Sequence, residues 1–259
     1  MLIDLHNHTP RCHHASGSPA EYAQAAFNQG IQIYGFSDHA PMAFDPQWRM
    51  RHDEMTEYEQ EIRNLTESYH GKMKILLGYE VDWLPGYMDE HVIQADVDYL
   101  IGSVHFINDW GFDNPEFLSH YEGRDPDATW RDYFNLIAQM ARSGLFQIVG
   151  HVDLLKVFNF LPHADIRILA QKAFKEIKKA GMAIELNSAG IRKPIGESYP
   201  SLPLLELAAE LDIPITFGCD AHQTKQVGAG LEKLYELART VGYTHALYFE
   251  GKDRVVIKI

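Results

Sequence analysis

The chain has 259 residues, 46% of them apolar and 23% charged, with a formal net charge of −13. That length suits one barrel-sized domain spanning 1–259 with a sizeable core, and no run approaches the roughly 20 apolar residues that a membrane span needs. The acidic balance argues against nucleic-acid or acidic-membrane partners, which require a positive field, so an anionic substrate must find its positive charge locally.

The opening Met1-Leu2-Ile3-Asp4-Leu5-His6 has neither the basic nor the long apolar stretch of a secretory signal. Cys12 and Cys219 are too few for a disulfide framework, so a reducing cytoplasm is the expected setting.

Short β-branched runs alternate with longer segments of helical period, the pattern of a parallel α/β fold. Strands are predicted at Met1–Leu5, Ile31–Ser37, Lys74–Glu80, Tyr99–Ser103, Phe146–Gly150, Met182–Asn187 and Ile215–Cys219, with an extended pair, Ala246–Phe249 and Arg254–Ile257, closing the chain. Helices are predicted from about Ser18, with Pro19 at the first helical position, to Gly30, and over Asp53–His70, Ala128–Ser143, Ala164–Ala180, Leu202–Leu211 and Gly230–Val241. Gly71, Gly144, Gly181 and Gly242 fall where helix ends want a left-handed residue. Two insertions, Pro41–Arg51 and Ile107–Pro126, are rich in Trp, Phe, Asp and Pro and read as loops covering a mouth. No linker or fixed-period repeat divides the chain.

The composition has one unusual figure, 14 histidines, and their placement says more than their number. The predicted strands end in His6 and His8, then His39, Glu80, His105, His151, Asn187, and Asp220 with His222. In a parallel barrel all these ends lie on one face, where such folds keep their chemistry. Residues two apart on a strand point the same way, which pairs His6 with His8, Asp220 with His222, Glu80 with Asp82, Ser103 with His105 and His151 with Asp153. One histidine alone is an ordinary hydrogen-bonded residue. Six strand ends carrying polar groups into one mouth would cost a few kcal/mol each without partners, a cost that metal ions remove. His52, His70, His91, His120, His163 and His245 keep the ordinary reading; His13 adjoins His14, and parity cannot choose between them in a loop.

These residues resemble the polymerase and histidinol phosphatase (PHP) superfamily. The opening motif is Asp4-Leu5-His6-Asn7-His8-Thr9-Pro10-Arg11-Cys12-His13-His14-Ala15, followed by Gly35-Phe36-Ser37-Asp38-His39, Gly78-Tyr79-Glu80-Val81-Asp82, Ile101-Gly102-Ser103-Val104-His105-Phe106, Gly150-His151-Val152-Asp153 and Gly218-Cys219-Asp220-Ala221-His222. Trp110-Gly111-Phe112-Asp113, Leu155-Lys156 and the run from Glu185 to Pro194 are similar to the histidinol-phosphatase branch. The resemblance implies a distorted (β/α)7 TIM-like barrel and hydrolysis of L-histidinol phosphate to L-histidinol and phosphate, a late step of histidine biosynthesis. It also implies two or three divalent ions, zinc, manganese or iron. His6, His8, Glu80 and Asp220 would hold one; Glu80 would bridge to a second held by His105 and His151; His14, His39 and His222 would hold a third. The resemblance favours His14 over His13, and a Cys12 thiolate would be an odd addition to an imidazole and carboxylate set.

Phosphate monoester hydrolysis is among the slowest uncatalysed reactions, with accelerations up to ~10²¹ known, so it needs charge neutralisation and a strong nucleophile. Paired metal ions supply both through a bridging hydroxide, and they make the pocket positive inside an acidic protein. Glu80, Asp220 and His105 are therefore the catalytic candidates. Arg192, Lys156 and Lys193 are the candidate phosphate contacts, while Asp153, Asp113 and Glu185 either orient ligand histidines or receive a cationic substrate amine. Three alternatives compete: a PHP phosphoesterase acting on nucleotides or oligonucleotide ends, a non-catalytic metal-binding module, and a barrel amidohydrolase, which commonly adds a lysine bridge where Glu80 stands here.

Overall fold

The computed structural model describes residues 2–259; Met1, expected in the first strand, lies outside the described residues. In chain order the strands are β1 (Ile3–Asp4), β2 (Ile33–His39), β3 (Lys74–Asp82), β4 (Tyr99–Ser103), β5 (Phe106–Ile107), β6 (Trp110–Gly111), β7 (Ile148–Val149), β8 (Ala183–Asn187), β9 (Ile215–Gly218), β10 (His245–Glu250) and β11 (Asp253–Lys258). The helices are α1 (Pro19–Asn28), α2 (Met55–Ser68), α3 (Glu90–Ile93), α4 (Pro126–Ser143), α5 (Ile166–Ala180), α6 (Leu202–Glu210) and α7 (Leu231–Thr240).

Seven strands form one parallel sheet in the order β1-β2-β3-β4-β7-β8-β9, the α/β barrel that the alternating pattern predicts. Its edges meet: Leu5 N–H donates to Phe217 at 2.8 Å, Asp220 N–H to His6 at 2.7 Å and His8 N–H to Ala221 at 3.0 Å. The closing strands are unequal, two residues in β1 and β7 against nine in β3, so the barrel is distorted rather than regular. Register places His39 beside Glu80 and Asp82 beside Ser103, which begins to gather the polar strand ends.

The barrel interior is packed, not hollow. The Tyr99 side chain crosses it and donates its hydroxyl to the Leu5 carbonyl at 2.6 Å. A Cβ on Gly35 would stand 2.0 Å from that hydroxyl, and one on Gly78 would stand 2.7 Å from the ring, so both neighbouring strands must be bare there. The aromatic cross-brace fixes the distance between β1, β2 and β3 below the polar mouth.

The helices begin and end for local reasons. Ser18 and Glu21 form a reciprocal capping box ahead of α1, with Pro19 in the first turn. Asp125 and Asp165 cap α4 and α5 through their side chains, and Gly144 and Gly181 end them in left-handed conformation. Trp130, Phe134, Ile137 and Ala141 recur at helical spacing on the buried face of α4, as do Ala170, Phe174 and Ile177 on α5. Burying each of the larger of these contributes about 1.5–3 kcal/mol.

The differences from the sequence expectations lie at ends and in short pieces. β2 and β3 run two residues further, through His39 and Asp82, because their polar ends stay in the ladder. The terminal pair is an antiparallel hairpin outside the barrel, turned by Gly251 and Lys252, both at positive φ. The four-residue α3 is too short to leave a periodic signal. The 107–126 segment contains the β5–β6 hairpin and a 3-10 stretch, Pro115–Tyr121, and the 41–51 segment carries a 3-10 turn at Pro46–Trp48. Both fold over the mouth, as expected. No described helix is long and apolar enough to cross a membrane.

Candidate metal centre

The strand ends converge. His6 and His8 follow β1, His39 ends β2, Glu80 lies near the end of β3, His105 follows β4, His151 follows β7, and Asp220 and His222 follow β9, while His14 arrives from the loop after β1. Glu80 sits at the centre with 1% exposure, and its two oxygens face different rings. Oε2 lies 3.3, 3.6 and 3.1 Å from nitrogens of His6, His8 and His39; Oε1 lies 2.9 and 3.6 Å from Nε2 of His151 and His105. Asp220 Oδ1 stands 3.2 Å from His8 Nε2 and 4.0 Å from His6 Nε2. Donor atoms that share an ion at 2.0–2.2 Å stand about 3–3.5 Å apart, and the separations here, 2.9 to 4.0 Å, surround that value.

The rings are aimed from behind. His6 Nδ1 is 2.7 Å from Glu185 Oε1, and His105 Nδ1 is 2.7 Å from Asp82 Oδ1. His8 Nδ1 is 3.4 Å from Asp38 Oδ1, His14 Nδ1 2.8 Å from the Cys12 carbonyl and His222 Nδ1 3.2 Å from the Asp220 carbonyl. Carboxylates and carbonyls can only accept, so in all five rings Nδ1 carries a proton, which leaves Nε2 as the atom available to a cation. Nε2 of His6 and His8, and Nδ1 of His39 and His151, are buried without a hydrogen-bond partner. Orphaned buried nitrogens of this kind are costly unless a cation uses them. Within 4.8 Å of one another lie the donor atoms of His6, His8 and Glu80, of His6, His151 and Asp220, of Glu80, His105 and His151, and of His14, His39 and His222. These groups, borderline imidazole with hard carboxylate, fit zinc, manganese or iron.

The electrostatics ask for the same thing. Burial alone would depress the rings, but Glu185, Glu80 and Asp220 outweigh it at His6, whose pKa is raised well above the ordinary histidine value. Against the same burial penalty, Asp220 and Asp38 lift His8 to about 9, and Asp82 and Glu80 lift His105 to about 10. Burial should raise Glu80 and Asp220, yet the surrounding rings hold both well below the usual carboxylate range. His14, His39 and His222 are lowered, first by burial, with neighbouring rings adding to it. Three rings thus draw in protons where divalent ions would sit, so binding ions must expel them.

Asp220 is one of the few non-glycine residues at positive φ, 52°. Its amide donates to His6, and its carbonyl accepts from Arg192 Nη2 at 3.2 Å, with the Cys219 carbonyl at 2.6 Å from the same nitrogen. Local strain held by several contacts is characteristic of functional positions.

A cavity of about 630 Å³ opens over the cluster. Glu80, His105, His151, Asp220, His14, His39 and His222 form its floor; Phe44, Trp48, Arg49, Phe106, Asp109, Asp113, Phe117, Arg192, Lys193 and Tyr199 are among the groups on its walls. Arg192, Lys193 and Asp113 therefore stand where the sequence reading expects substrate contacts. Lys156 and Asp153 require correction. Lys156 is 1% exposed, and its Nζ is held by Asp153 at 3.0 Å, Glu197 at 2.7 Å and the Ser198 carbonyl at 2.8 Å, while Asp153 also accepts from the Ser201 amide. A buried ammonium needs such partners, so the pair braces the 197–201 segment behind the wall instead of lining the cavity. Glu185 is likewise beneath the floor, holding His6 and the His151 amide.

The exposed His13 turns away, its Nδ1 3.0 Å from the Gln47 carbonyl, while His14 Nε2 approaches His222 Nε2 to 3.0 Å. Cys12 lies within 4.8 Å of His8 and His222 donor atoms, but its thiol donates to the Thr9 carbonyl and burial pushes its pKa up. Sequence reasoning missed Arg49 and Asp38. A buried Asp82 aimed at the mouth needs a cation, which was the available signal for Arg49; Asp38 follows from the need to orient His8.

Comparisons with known proteins agree with this geometry. The family model described as the PHP domain matches residues 4–189. A Deinococcus radiodurans protein named "Probable histidinol-phosphatase" is 42% identical over 246 residues, covering 93% of this chain and 94% of that protein. The histidinol-phosphatase of Bacillus subtilis is 29% identical over 262 residues, covering 90% and 98%. The histidinol phosphate phosphatase of Lactococcus lactis, solved with zinc, L-histidinol and phosphate, shares the fold with a TM-score of 0.80 at 22% identity, covering 98% of each chain.

Proposed function

The chain belongs to the PHP domain family, and on that premise we propose that it is a metal-dependent phosphatase that hydrolyses L-histidinol phosphate. The observation that carries the reading is the two-sided Glu80 carboxylate, with a different set of rings at each oxygen. We assign His6, His8, Glu80 and Asp220 to one ion, Glu80, His105 and His151 to a second, and His14, His39 and His222 to a third. Zinc, manganese or iron suits the donors. Bound there, such ions would lower the pKa of water and neutralise phosphoryl charge.

The reaction breaks the bond between phosphorus and the ester oxygen and forms one from phosphorus to a water oxygen; the alcohol leaves with a proton. The chain's residues set the stage for it. Glu185, Asp82 and Asp38 hold the rings of His6, His105 and His8 so that none must reorient during reaction. Arg192 and Lys193 on the wall attract the phosphate dianion, Arg192 with a planar fork braced on the Cys219 carbonyl. Asp113, half-buried on the opposite insertion with no shown ion-pair partner among the described residues, is placed to receive the substrate amine. Phe44, Trp48, Phe106 and Phe117 offer flat apolar faces to an imidazole.

Assay of the purified, metal-loaded protein tests the reading. Phosphate release from L-histidinol phosphate should exceed that from nucleotide monophosphates by orders of magnitude in kcat/KM; a preference for nucleotides moves the protein to the other branch, and no hydrolysis of any phosphoester leaves a binding module.

A further inference from the structure

We propose that Arg49 is a positioning residue that makes the cavity wall and one cation seat a single unit: it ties the 41–51 loop to Asp82 and, through Asp82, fixes the ring of His105. The inference rests on the reading above in one respect, that Glu80, His105 and His151 hold a cation.

Nothing in the sequence separates Arg49 from Arg51, yet they part in the fold. The Arg51 side chain is 62% exposed and pairs with Asp53, whereas that of Arg49 is 4% exposed, its guanidinium carbon 5.3 Å from the centre of the Phe106 ring. Arg49 Nε and Nη2 both donate to Asp82 Oδ2, at 3.1 and 2.7 Å. Its Nη1 donates to the Asp45 carbonyl and to Asp45 Oδ2 at 3.1 and 3.2 Å. Four of the five guanidinium N–H groups are thereby committed within the protein, and the charge is matched by a buried carboxylate, which leaves Arg49 little to give a phosphate. The other oxygen of Asp82 accepts from His105 Nδ1 at 2.7 Å, and His105 Nε2 then points to Glu80 Oε1, 3.6 Å away.

The relay has a direction of cause. Without the guanidinium, Asp82 is a buried carboxylate left with His105 alone to offset it; its aim is then no longer fixed, and neither is that of the His105 ring it anchors. The same arginine sits five residues from Phe44 and next to Trp48, both on the cavity wall. The loop therefore cannot withdraw without releasing Asp82. Because coupling between two sites is reciprocal, a cation on Glu80, His105 and His151 must favour the seated loop as much as the loop favours the cation.

The test compares Arg49→Met, Arg49→Lys, Asp82→Ala and the double variant Arg49→Met/Asp82→Ala, with zinc as the probe. Outer-shell partners typically change metal affinity 10–100-fold. One zinc equivalent should weaken by about that factor in Arg49→Met, with the remaining equivalents unchanged, kcat lowered, KM for L-histidinol phosphate moved less than about threefold, and excess zinc restoring turnover. Arg49→Lys, which keeps a cation but loses the fork, should fall between it and the parent. The double variant should be no weaker than Asp82→Ala alone, since both act through one chain of contacts. Unchanged zinc affinity with a raised KM would make Arg49 a substrate contact and overturn the proposal, as would additive losses or a drop in thermal stability with zinc binding intact. Should Arg49→Met not fold, the parent decides: zinc loading must slow hydrogen exchange at the amides of 42–51 relative to stripped protein, and equal exchange overturns the proposal. If the parent hydrolyses no L-histidinol phosphate, the phosphatase reading fails, while zinc affinity and exchange still judge Arg49.

Discussion

The floor and the walls of the cavity are built differently. The floor groups, with His6 and His8 directly beneath them, stand on strand ends apart from His14; His6 and His8 are 0% exposed and Glu80 1%. Five of the rings are anchored through Nδ1 by a carboxylate or a backbone carbonyl. The walls stand mostly on loops and short 3-10 turns, and some of their aromatic groups remain partly open, Trp48 and Phe117 at 37% each, although Phe106 and Tyr199 are buried. A centre that must hold several cations in fixed relation needs rigid supports, whereas a surface that selects a substrate can be carried on insertions that change without disturbing the barrel. The difference predicts that floor variants lose metal and turnover together, and that wall variants lose substrate affinity with metal retained, except at Arg49, which acts on the floor through Asp82.

The severest way to break that division is Glu80→Ala. It removes the group facing both ring sets, so kcat should fall on the order of 10³-fold or more, beyond the 10–100-fold of an outer-shell partner, with metal per chain reduced in the same sample by elemental analysis. Retained activity would refute the bridging assignment. Glu185→Gln keeps the shape behind His6 but can present an amide N–H to the ring in place of an acceptor; a loss of about 10–100-fold in metal affinity is expected, read by chelator competition. On the wall, Asp113→Asn removes one charge-assisted contact, so KM should rise roughly tenfold with kcat and metal content little changed. A fall in metal content instead would move Asp113 to the floor.

Acidity sharpens the comparison, because floor histidines are held protonated by the carboxylates around them. In metal-stripped protein the folded pKa values of His8, about 9, and His105, about 10, lie above the ordinary 6.5. The stability they contribute is fully present below pH 6.5 and is lost as pH rises through 9 to 10. The Tm of stripped protein should therefore fall between pH 6.5 and 10. Metal-loaded protein should show no such loss, since ions take the place of those protons; it should instead shed metal on acidification. The smallest effect belongs to a histidine outside both regions: His163→Ala, in an exposed loop, should shift stability by no more than about 0.5 kcal/mol and leave metal and turnover as they are.

Much of the floor is legible in the sequence because strand parity is a strict rule. His6 and His8 must point together, as must Glu80 and Asp82, and parallel strands must end on one face. The barrel followed from the same alternation, and helix ends at Ser18, Gly144 and Gly181 from caps that have one local function. The walls obey no period. Whether Lys156 faces the cavity or Glu197 is settled by the return path of the 190–200 segment, and whether Arg49 or Arg51 turns inward by a loop with a left-handed Asp45. His14 against His13 was undecidable for the same reason: the left-handed His13 after the Pro10–Cys12 turn throws one ring outward and the next inward.

The central claim is that these strand-end groups seat the cations that hydrolysis needs. Stripped protein titrated with zinc, with metal per chain and phosphate release from L-histidinol phosphate followed in the same samples, tests it most directly. Activity should be absent at zero equivalents and rise to a plateau at two to three bound ions per chain; full turnover without bound metal, or a loaded protein that releases no phosphate, would contradict it.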